Sequence, residues 1–357
     1  MEVILLTGHY FAGNNTSRGF FSYFDYLINP WEAERIYILK GGPGTGKSSF
    51  MKKISTALKK DHPVEYIHCS SDNDSLDAIV IEDLKVVFVD GTAPHTIDPV
   101  LPGAVDEIIN LGIYLDKKDL QEHKDEIIEI NRTKSNLYKS AYTYFKGAGL
   151  VQDEINSIYD RYTDENKFKM MCKEITEKIF TDTSKTSNLG KIRKLFLEAY
   201  TSDGYISHTD SFCDGRKVWA IVGENINYAS RLLEEILIEA LKRDYMAEGF
   251  YNPLHPEKLQ HLFLPELNLF LKTADNHINN SYDEVINLHT IMDIDTVITF
   301  NSDIASDILM LNMLTNHGLE RLGKAKKEHE KLEEIYKNAM DFKGVDECYD
   351  KIISQYI

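Results

Sequence analysis

The chain has 357 residues, 43% hydrophobic and 27% charged: long enough for two domains with proper cores, and too hydrophobic for global disorder. Its formal net charge of -17 repels phosphate backbones and anionic lipid, so general nucleic-acid binding and membrane association are not expected, although a local basic patch is compatible with it. Four scattered cysteines without a C-x-x-C pair, an N-terminal stretch unlike a signal peptide, and no run of membrane-spanning length together suit a cytoplasmic protein.

In chain order, His9 to Ile28 is rich in aromatics and punctuated by Gly13 and Gly19. A strand-like Ile36 to Leu39 then runs into KGGPGTGKSS and an amphipathic segment, Phe50 to Leu58. Gly41, Gly46, Lys47 and Ser48 fit G-x-x-x-x-G-K-[ST], with Gly42, Pro43, Gly44 and Thr45 between and Ser49 after. Glycines suit such a turn because its backbone N–H groups must approach phosphate oxygens closely, and the positive end of the following helix points at the same charge. The pattern predicts that Lys47 reaches the β- and γ-phosphates of ATP and that the Ser48 hydroxyl ligates Mg²⁺. The apolar run Val86 to Val89 ends in Asp90, a second candidate metal-orienting group.

Val64 to Cys69 reads as another strand, followed by a polar loop, Ser70 to Asp77. Asp72, at the strand end where open α/β sheets place ligands, is a candidate base, water-orienting or metal-shell group, whereas Asp77 reads as a helix cap before Ala78 to Ile81. From about Asp116 the texture becomes helical, with an apolar stripe at Ile127, Ile130, Leu137, Ala141 and Phe145. A break is expected at Phe145-Lys146-Gly147, then a second helical run to Phe180.

The same programme recurs. KVWAIVGENINYASRLLEEI (Lys217 to Ile236) aligns on the glycine-rich segment with Gly223 on Gly41; TSDGYIS matches TSRGFFS, PELNLFLK matches EDLKVVFV, and DEVINL matches DEIINL. YKNAMDFKG (Tyr336 to Gly344) resembles YKSAYTYFKG (Tyr138 to Gly147), and Leu311, Leu314, Leu322, Ala325, Leu332, Tyr336 and Ala339 keep near-heptad spacing. The expectation is an α/β protein of two tandem P-loop NTPase-like domains, 1–185 and 186–357. Each has a mostly parallel sheet, flanking helices and a helical hairpin, at about 116–180 and 301–357. The hairpin stripes suit internal packing or, alternatively, a protein partner or homodimer.

The repeat separates structural from chemical positions. In the second copy Tyr228 replaces Gly46 and Ala229 replaces Lys47, while Glu224, Ile226 and Asn227 replace Gly42, Gly44 and Thr45. Asp90 falls opposite Lys272 or Thr273, and Asp72, Asp74 and Asp77 opposite Leu254, Pro256 and Leu259. One nucleotide per chain is therefore expected, in the first half. Gly19, matched by Gly204, reads as a backbone-geometry glycine; Arg18, facing Asp203, is a candidate phosphate or substrate contact, with a solvated arginine as the alternative. His95, with His277 nearby in the copy, reads as a structural histidine.

Together HYFAGNNTSRGF, KGGPGTGKSS, CSSDNDSLD and DGTAPHTIDPVLPG resemble a little-characterised bacterial family of tandem P-loop proteins, described broadly as ATPases or nucleotide kinases. The resemblance covers essentially the whole chain and implies a bacterial source and ATP. GGPGTGKS is also similar to the turn of AAA-type ATPases, but Gly91 stands where that class carries its water-activating glutamate. Three readings follow: an Mg-dependent ATPase, a small-molecule or nucleotide kinase with Asp72 as base and Arg18 as clamp, and a nucleotide-binding scaffold without turnover.

Overall fold

A computed structural model describes residues 8–93, 96–181, 190–274 and 282–357; His95 and His277 lie outside them. In the first half the strands are β1 (His9–Phe11), β2 (Gly13–Thr16), β3 (Gly19–Ser22), β4 (Arg35–Lys40), β5 (Val64–His68), β6 (Leu76–Ile81), β7 (Val86–Asp90) and β8 (Asp106–Asn110). The helices are α1 (Lys47–Leu58), α2 (Lys117–Glu122), α3 (Lys124–Arg161) and α4 (Glu165–Phe180). The second half repeats the order. Its strands are β9 (Lys191–Leu195), β10 (Glu198–Thr201), β11 (Gly204–Ser207), β12 (Lys217–Val222), β13 (Met246–Tyr251), β14 (Leu259–Leu264), β15 (Leu269–Ala274) and β16 (Glu284–Asn287). Its helices are α5 (Thr209–Cys213), α6 (Ile226–Lys242), α7 (Ile294–Ile298), α8 (Asn301–Asn338) and α9 (Phe342–Ile353).

Two six-stranded sheets have the same order, β1-β5-β6-β7-β4-β8 and β9-β13-β14-β15-β12-β16. In each, three pairings are parallel and the two involving β6 or β14 are antiparallel, so the sheets are mixed, with parallel pairings in the majority. The extra strand β6 corrects the expected helix after Asp77: LDAIVI is buried along its whole length, and a β-branched run buried on both faces belongs inside a sheet. Asp77 itself is buried in that strand, hydrogen-bonded to the Cys69 thiol.

Strand register fixes the internal alignment. Leu39 pairs with Asp90 and Ile221 with Thr273, so Thr273 stands where the first half has Asp90. Ile67 pairs with Ala78 and Phe250 with His261, which moves the loop alignment by one residue: His255, Glu257 and Gln260 occupy the positions of Asp72, Asp74 and Asp77. Gly19 and Gly204 do serve geometry. Both have positive φ, +92° and +112°, in hairpins whose Thr16 and Thr201 hydroxyls donate to the same glycine's carbonyl at 2.8 Å.

The helices depart from the expected hairpins. α3 runs unbroken through Phe145-Lys146-Gly147. The cost of about 1 kcal/mol for a helical glycine is offset by packing. Phe145 is fully buried against Gly318 of α8, where a Cβ would lie 2.7 Å from its ring. The stripes of α3 and α8 pack on each other, with Ala141, Phe145, Ala148 and Leu322 in one cluster and Leu311 and Leu314 beside it.

Each long helix thus carries its successor onto the opposite half. Asp116 and Asp293 donate backbone N–H groups to the carbonyls of Ala339 and Tyr162, at 2.8 and 2.9 Å, and Asp341 and Asp164 donate to Tyr114 and Ile291. Past these crossings α4 packs on α6, with Phe168 edge-on to Tyr228 at 4.8 Å, and α9 packs on α1, with Tyr349 edge-on to Phe50 at 5.9 Å. The helical repeat therefore equates Ile335 to Val345 with Ile158 to Phe168, not with Tyr138 to Gly147; Asp341 and Asp164 cap the two equivalent helices. At the centre Phe11 and Phe196 exchange backbone hydrogen bonds of 2.9 Å, as two equivalent residues on a pseudo-two-fold axis must. Among the described residues no helix is long and apolar enough to cross a membrane.

Candidate functional site

The glycine-rich turn leaves the end of β4, which lies between β7 and β8 with its core side chains fully buried. α1 then buries Phe50, Met51, Ile54 and Leu58 at helical spacing against the sheet. Gly44 and Gly46 take φ of +67° and +88°, conformations that L side chains avoid. Thr45, fully buried, donates its hydroxyl to the Gly42 carbonyl at 2.9 Å and fastens the turn. Gly46 is the N-cap of α1, and no side chain caps this helix. Its first N–H groups are therefore left to bind something other than a cap, which is what an anion site requires.

Lys47 folds back over the turn, donating to the carbonyls of Gly41 (3.1 Å) and Gly42 (2.8 Å), with its ammonium 3.6 Å from Asp90. The other oxygen of Asp90 accepts from the backbone N–H and hydroxyl of Thr92, at 2.8 and 2.5 Å. Ser48 accepts the N–H of Leu76 at 3.1 Å, which ties the start of α1 to the end of the Asp72 loop. Pro43 is part of the turn, and Ser49 is exposed on the outside of α1. Sequence-predicted Lys47, Ser48, Asp90 and the loop of Asp72 are thus brought together at the carboxyl end of the strands. Among the described residues no group of three or more His, Cys, Asp or Glu could hold a metal. One hydroxyl and one carboxylate fit only an ion that keeps water and phosphate oxygens as most of its ligands, which describes Mg²⁺.

Arg18 lies elsewhere. The β2–β3 hairpin reaches across the pseudo-axis, where Asn14 and Asn15 donate to the carbonyls of Glu198 and Tyr200. This carries Arg18 to a bidentate, exposed pair with Glu257 (2.7 and 2.9 Å), in the second half's counterpart of the Asp72 loop. By the same crossing the equivalent Asp203 comes toward the first half's loop, where Lys326 of α8 joins it (3.0 Å) to Asp72 (2.9 Å). Burial raises the Asp72 pKa, but Lys326 and the Ser75 hydroxyl at 2.6 Å outweigh it and hold the carboxyl below its usual range.

α8 was not legible as part of this site. A Cβ at Gly42 would lie 2.6 Å from the Tyr336 ring, and one at Gly44 2.6 Å from the Glu333 carbonyl oxygen, so the turn is packed directly beneath this helix. Phe342, at the start of α9, lies over Gly46. His329 sits between these groups and Lys326. It accepts from Lys134 of α3 at 3.3 Å, and burial together with the nearby charges of Lys134 and Lys47 pushes its pKa down. Tyr138 of α3 donates to Ser71 at 3.0 Å. The polar residues 326, 329, 333 and 336 recur at helical spacing on one face, the signal that could have marked α8 as a site wall.

The second half's corner has the same place in its sheet and a different interior. Asn225, fully buried, accepts the N–H groups of Asn227 and Tyr228 and caps α6. Its amide and that of Asn227 donate to the two carboxylate oxygens of Asp160, each at 2.9 Å. The Tyr228 hydroxyl donates to Glu165 at 2.9 Å, and Arg231 pairs with the same carboxylate. Glu224 is bonded to His289 at 2.7 Å. No family model, curated protein or solved structure matches the chain.

Proposed function

We propose that this chain is an ATP-binding P-loop protein, an Mg-dependent ATPase with one working nucleotide site, in the first half, and a tandem second half whose corresponding corner is sealed by its own side chains. The observation that carries this reading is the contrast at the two helix N-termini. α1 begins at left-handed glycines with no side-chain cap, while α6 is capped by Asn225 and tied to Asp160. A helix whose terminal donors are already satisfied has nothing to offer a phosphate.

In this reading the N–H groups of residues 44–48 surround the phosphates, and Lys47 exchanges its two loop carbonyls for phosphate oxygens. Ser48 and Asp90 would hold Mg²⁺, which when bound neutralises phosphate charge. Water is preferred over a metabolite hydroxyl as acceptor, because Asp72, the candidate base of a kinase, is paired with Lys326 and correspondingly reluctant to take a proton. The resemblance of the sequence to tandem P-loop ATPases points the same way.

Calorimetric titration with Mg-ATP is expected to give one site per chain. Lys47→Ala removes a charge-assisted contact worth about 1.5–3 kcal/mol and is expected to weaken binding roughly ten- to hundredfold. ADP should form without any added metabolite. Two equivalent sites, or full affinity in a folded Lys47→Ala variant, would overturn the reading.

A further inference from the structure

The two long helices have the same length, and their flanking caps Asp116, Asp164, Asp293 and Asp341 coincide when α3 is laid on α8. Each passes over the opposite half's glycine corner, so residues of one have counterparts in the other. Along the first corner and the Asp72 loop beside it α8 carries Lys326, His329, Glu333, Tyr336 and Lys337; the equivalent positions of α3 are Gly149, Gln152, Asn156, Tyr159 and Asp160. The tyrosine is common to both faces and is a packing residue. The cations belong to one face only, the face over Lys47. At the second corner Lys337 is replaced by the carboxylate that seals the asparagines, and Lys326 by a glycine packed on Ser17.

Lys326 is the more informative of the two lysines. It is part-buried, and although burial favours its neutral form, Asp72 and Asp203 outweigh this and keep it charged. Asp72 belongs to the first half and Asp203 to the second, so the ammonium is held between halves, one helical turn from His329, which feels the charges of both Lys47 and Asp72. We propose that the second half, with no phosphate-binding turn of its own, completes the first half's site: α8 delivers Lys326 as the cation facing the phosphoryl group being transferred. The inference rests on the nucleotide reading above and adds a specific contributor to it. In the reaction, water oxygen bonds to the γ-phosphorus as the bond from that phosphorus to the β,γ-bridging oxygen breaks; ADP keeps the bonding electrons, and both water protons leave on the phosphate, which gives one up to bulk water afterwards. Lys326 gives up no proton. It offsets charge spreading onto the equatorial and leaving oxygens, a role for which an inter-domain cation is worth several orders of magnitude in other P-loop enzymes.

The test uses the full chain and four proteins: wild type, Lys326→Met, Lys326→Arg, and Lys327→Met on the exposed face of the same helix. Single-turnover ATP hydrolysis is measured alongside calorimetric affinity for Mg-ATP, Mg-ADP and Mg-ADP with aluminium fluoride, and melting is followed by circular dichroism. Lys326→Met is expected to keep Mg-ATP affinity within about threefold and to slow hydrolysis about 10²–10³-fold. It should also lose the tighter binding of the aluminium fluoride complex, with Lys326→Arg restoring most of both and Lys327→Met matching wild type. Normal hydrolysis in folded Lys326→Met, or equal loss of ATP affinity and rate, overturns the inference while the ATPase reading stands. Absence of hydrolysis in wild type overturns the ATPase reading and the inference with it.

Discussion

The corners at residues 41–47 and 223–229 leave equivalent strands, in the same register with their neighbours, and enter helices that bury the same kind of face. What differs is where the polar groups are spent. The first corner leaves its helix donors uncapped and bends its one cation over its own carbonyls, an arrangement that a phosphate can replace. The second satisfies its donors with Asn225, anchors that residue on Asp160, and fills the place of Gly46 with a tyrosine bonded to Glu165. The two halves can thus share their packing and differ in the polar chemistry of their corners, because strand register and helix burial depend on apolar positions that the substitutions at the corner leave alone.

The sharpest way to break the comparison is at the pseudo-axis, where the halves are joined unequally. Glu65 and Glu248 occupy equivalent strand positions, but one arginine serves both. Arg193 forms a bidentate pair with Glu65 (2.6 and 2.8 Å) and only a longer contact with Glu248 (3.5 Å). Arg193→Ala leaves two largely buried carboxylates facing each other and is expected to cost about 3–5 kcal/mol, measured by urea unfolding. Glu248 should behave oppositely. Burial, reinforced by Glu65 and only partly offset by Arg193, raises its pKa from 4.5 to about 7. Between those values the folded state holds the extra proton, so this group's contribution to stability is full below pH 4.5 and is lost as pH rises through 7. Glu248→Gln keeps the uncharged form. It should match wild type near pH 5 and exceed it at pH 8 by on the order of 1 kcal/mol. Equal pH profiles for the two proteins would remove the asymmetry.

A smaller effect is expected from unsealing the second corner. Asn225→Ala removes a cap and a bond to Asp160, and should cost about 1–2 kcal/mol in thermal or urea unfolding. It should create no second Mg-ATP site, even combined with Ala229→Lys, since Tyr228 still blocks the turn and Glu224 still adds negative charge. A second calorimetric site in the double variant would show that the seal alone separates the halves.

The α/β class, the strand-turn-helix at the first corner and the matched but altered second corner were legible because each rests on local pattern: an apolar run, glycines at a turn, helical spacing. β6 was not, since LDAIVI carries no turn signal to separate it from the loop before it. The crossing of α3 and α8 was also hidden. Heptad spacing says that a face is buried and not by which segment, and the glycine at Phe145-Lys146-Gly147 reads locally as a break although Phe145 makes it a packing site. For the same reason Lys326 and His329 were missed and Arg18 was placed with the phosphates: the β2–β3 hairpins and long helices each reach into the opposite half, and no local pattern encodes a crossing.

The smallest expected effect lies where α4 meets α6. Glu165 and Phe342 are equivalent first residues of α4 and α9, and they treat their corners differently: Phe342 lies over Gly46, whereas Glu165 binds the residue that replaced it. Arg231 at 2.5 Å, and then the Tyr228 hydroxyl, lower the Glu165 pKa from 4.5 to about 2, so the interaction is present above pH 4.5 and fades as pH falls toward 2. Both side chains of the ion pair are 44% exposed, however, and water and salt screen them. Glu165→Gln keeps an acceptor for Tyr228 and gives up the charge, so it should cost less than about 1 kcal/mol at pH 7 and low salt, and almost nothing at 1 M salt. The phenol ring of Tyr228, buried against Phe168, carries the rest of this contact by packing. A loss well above 1 kcal/mol that persists at high salt would mean that the charge, rather than the ring, holds α4 on the second half.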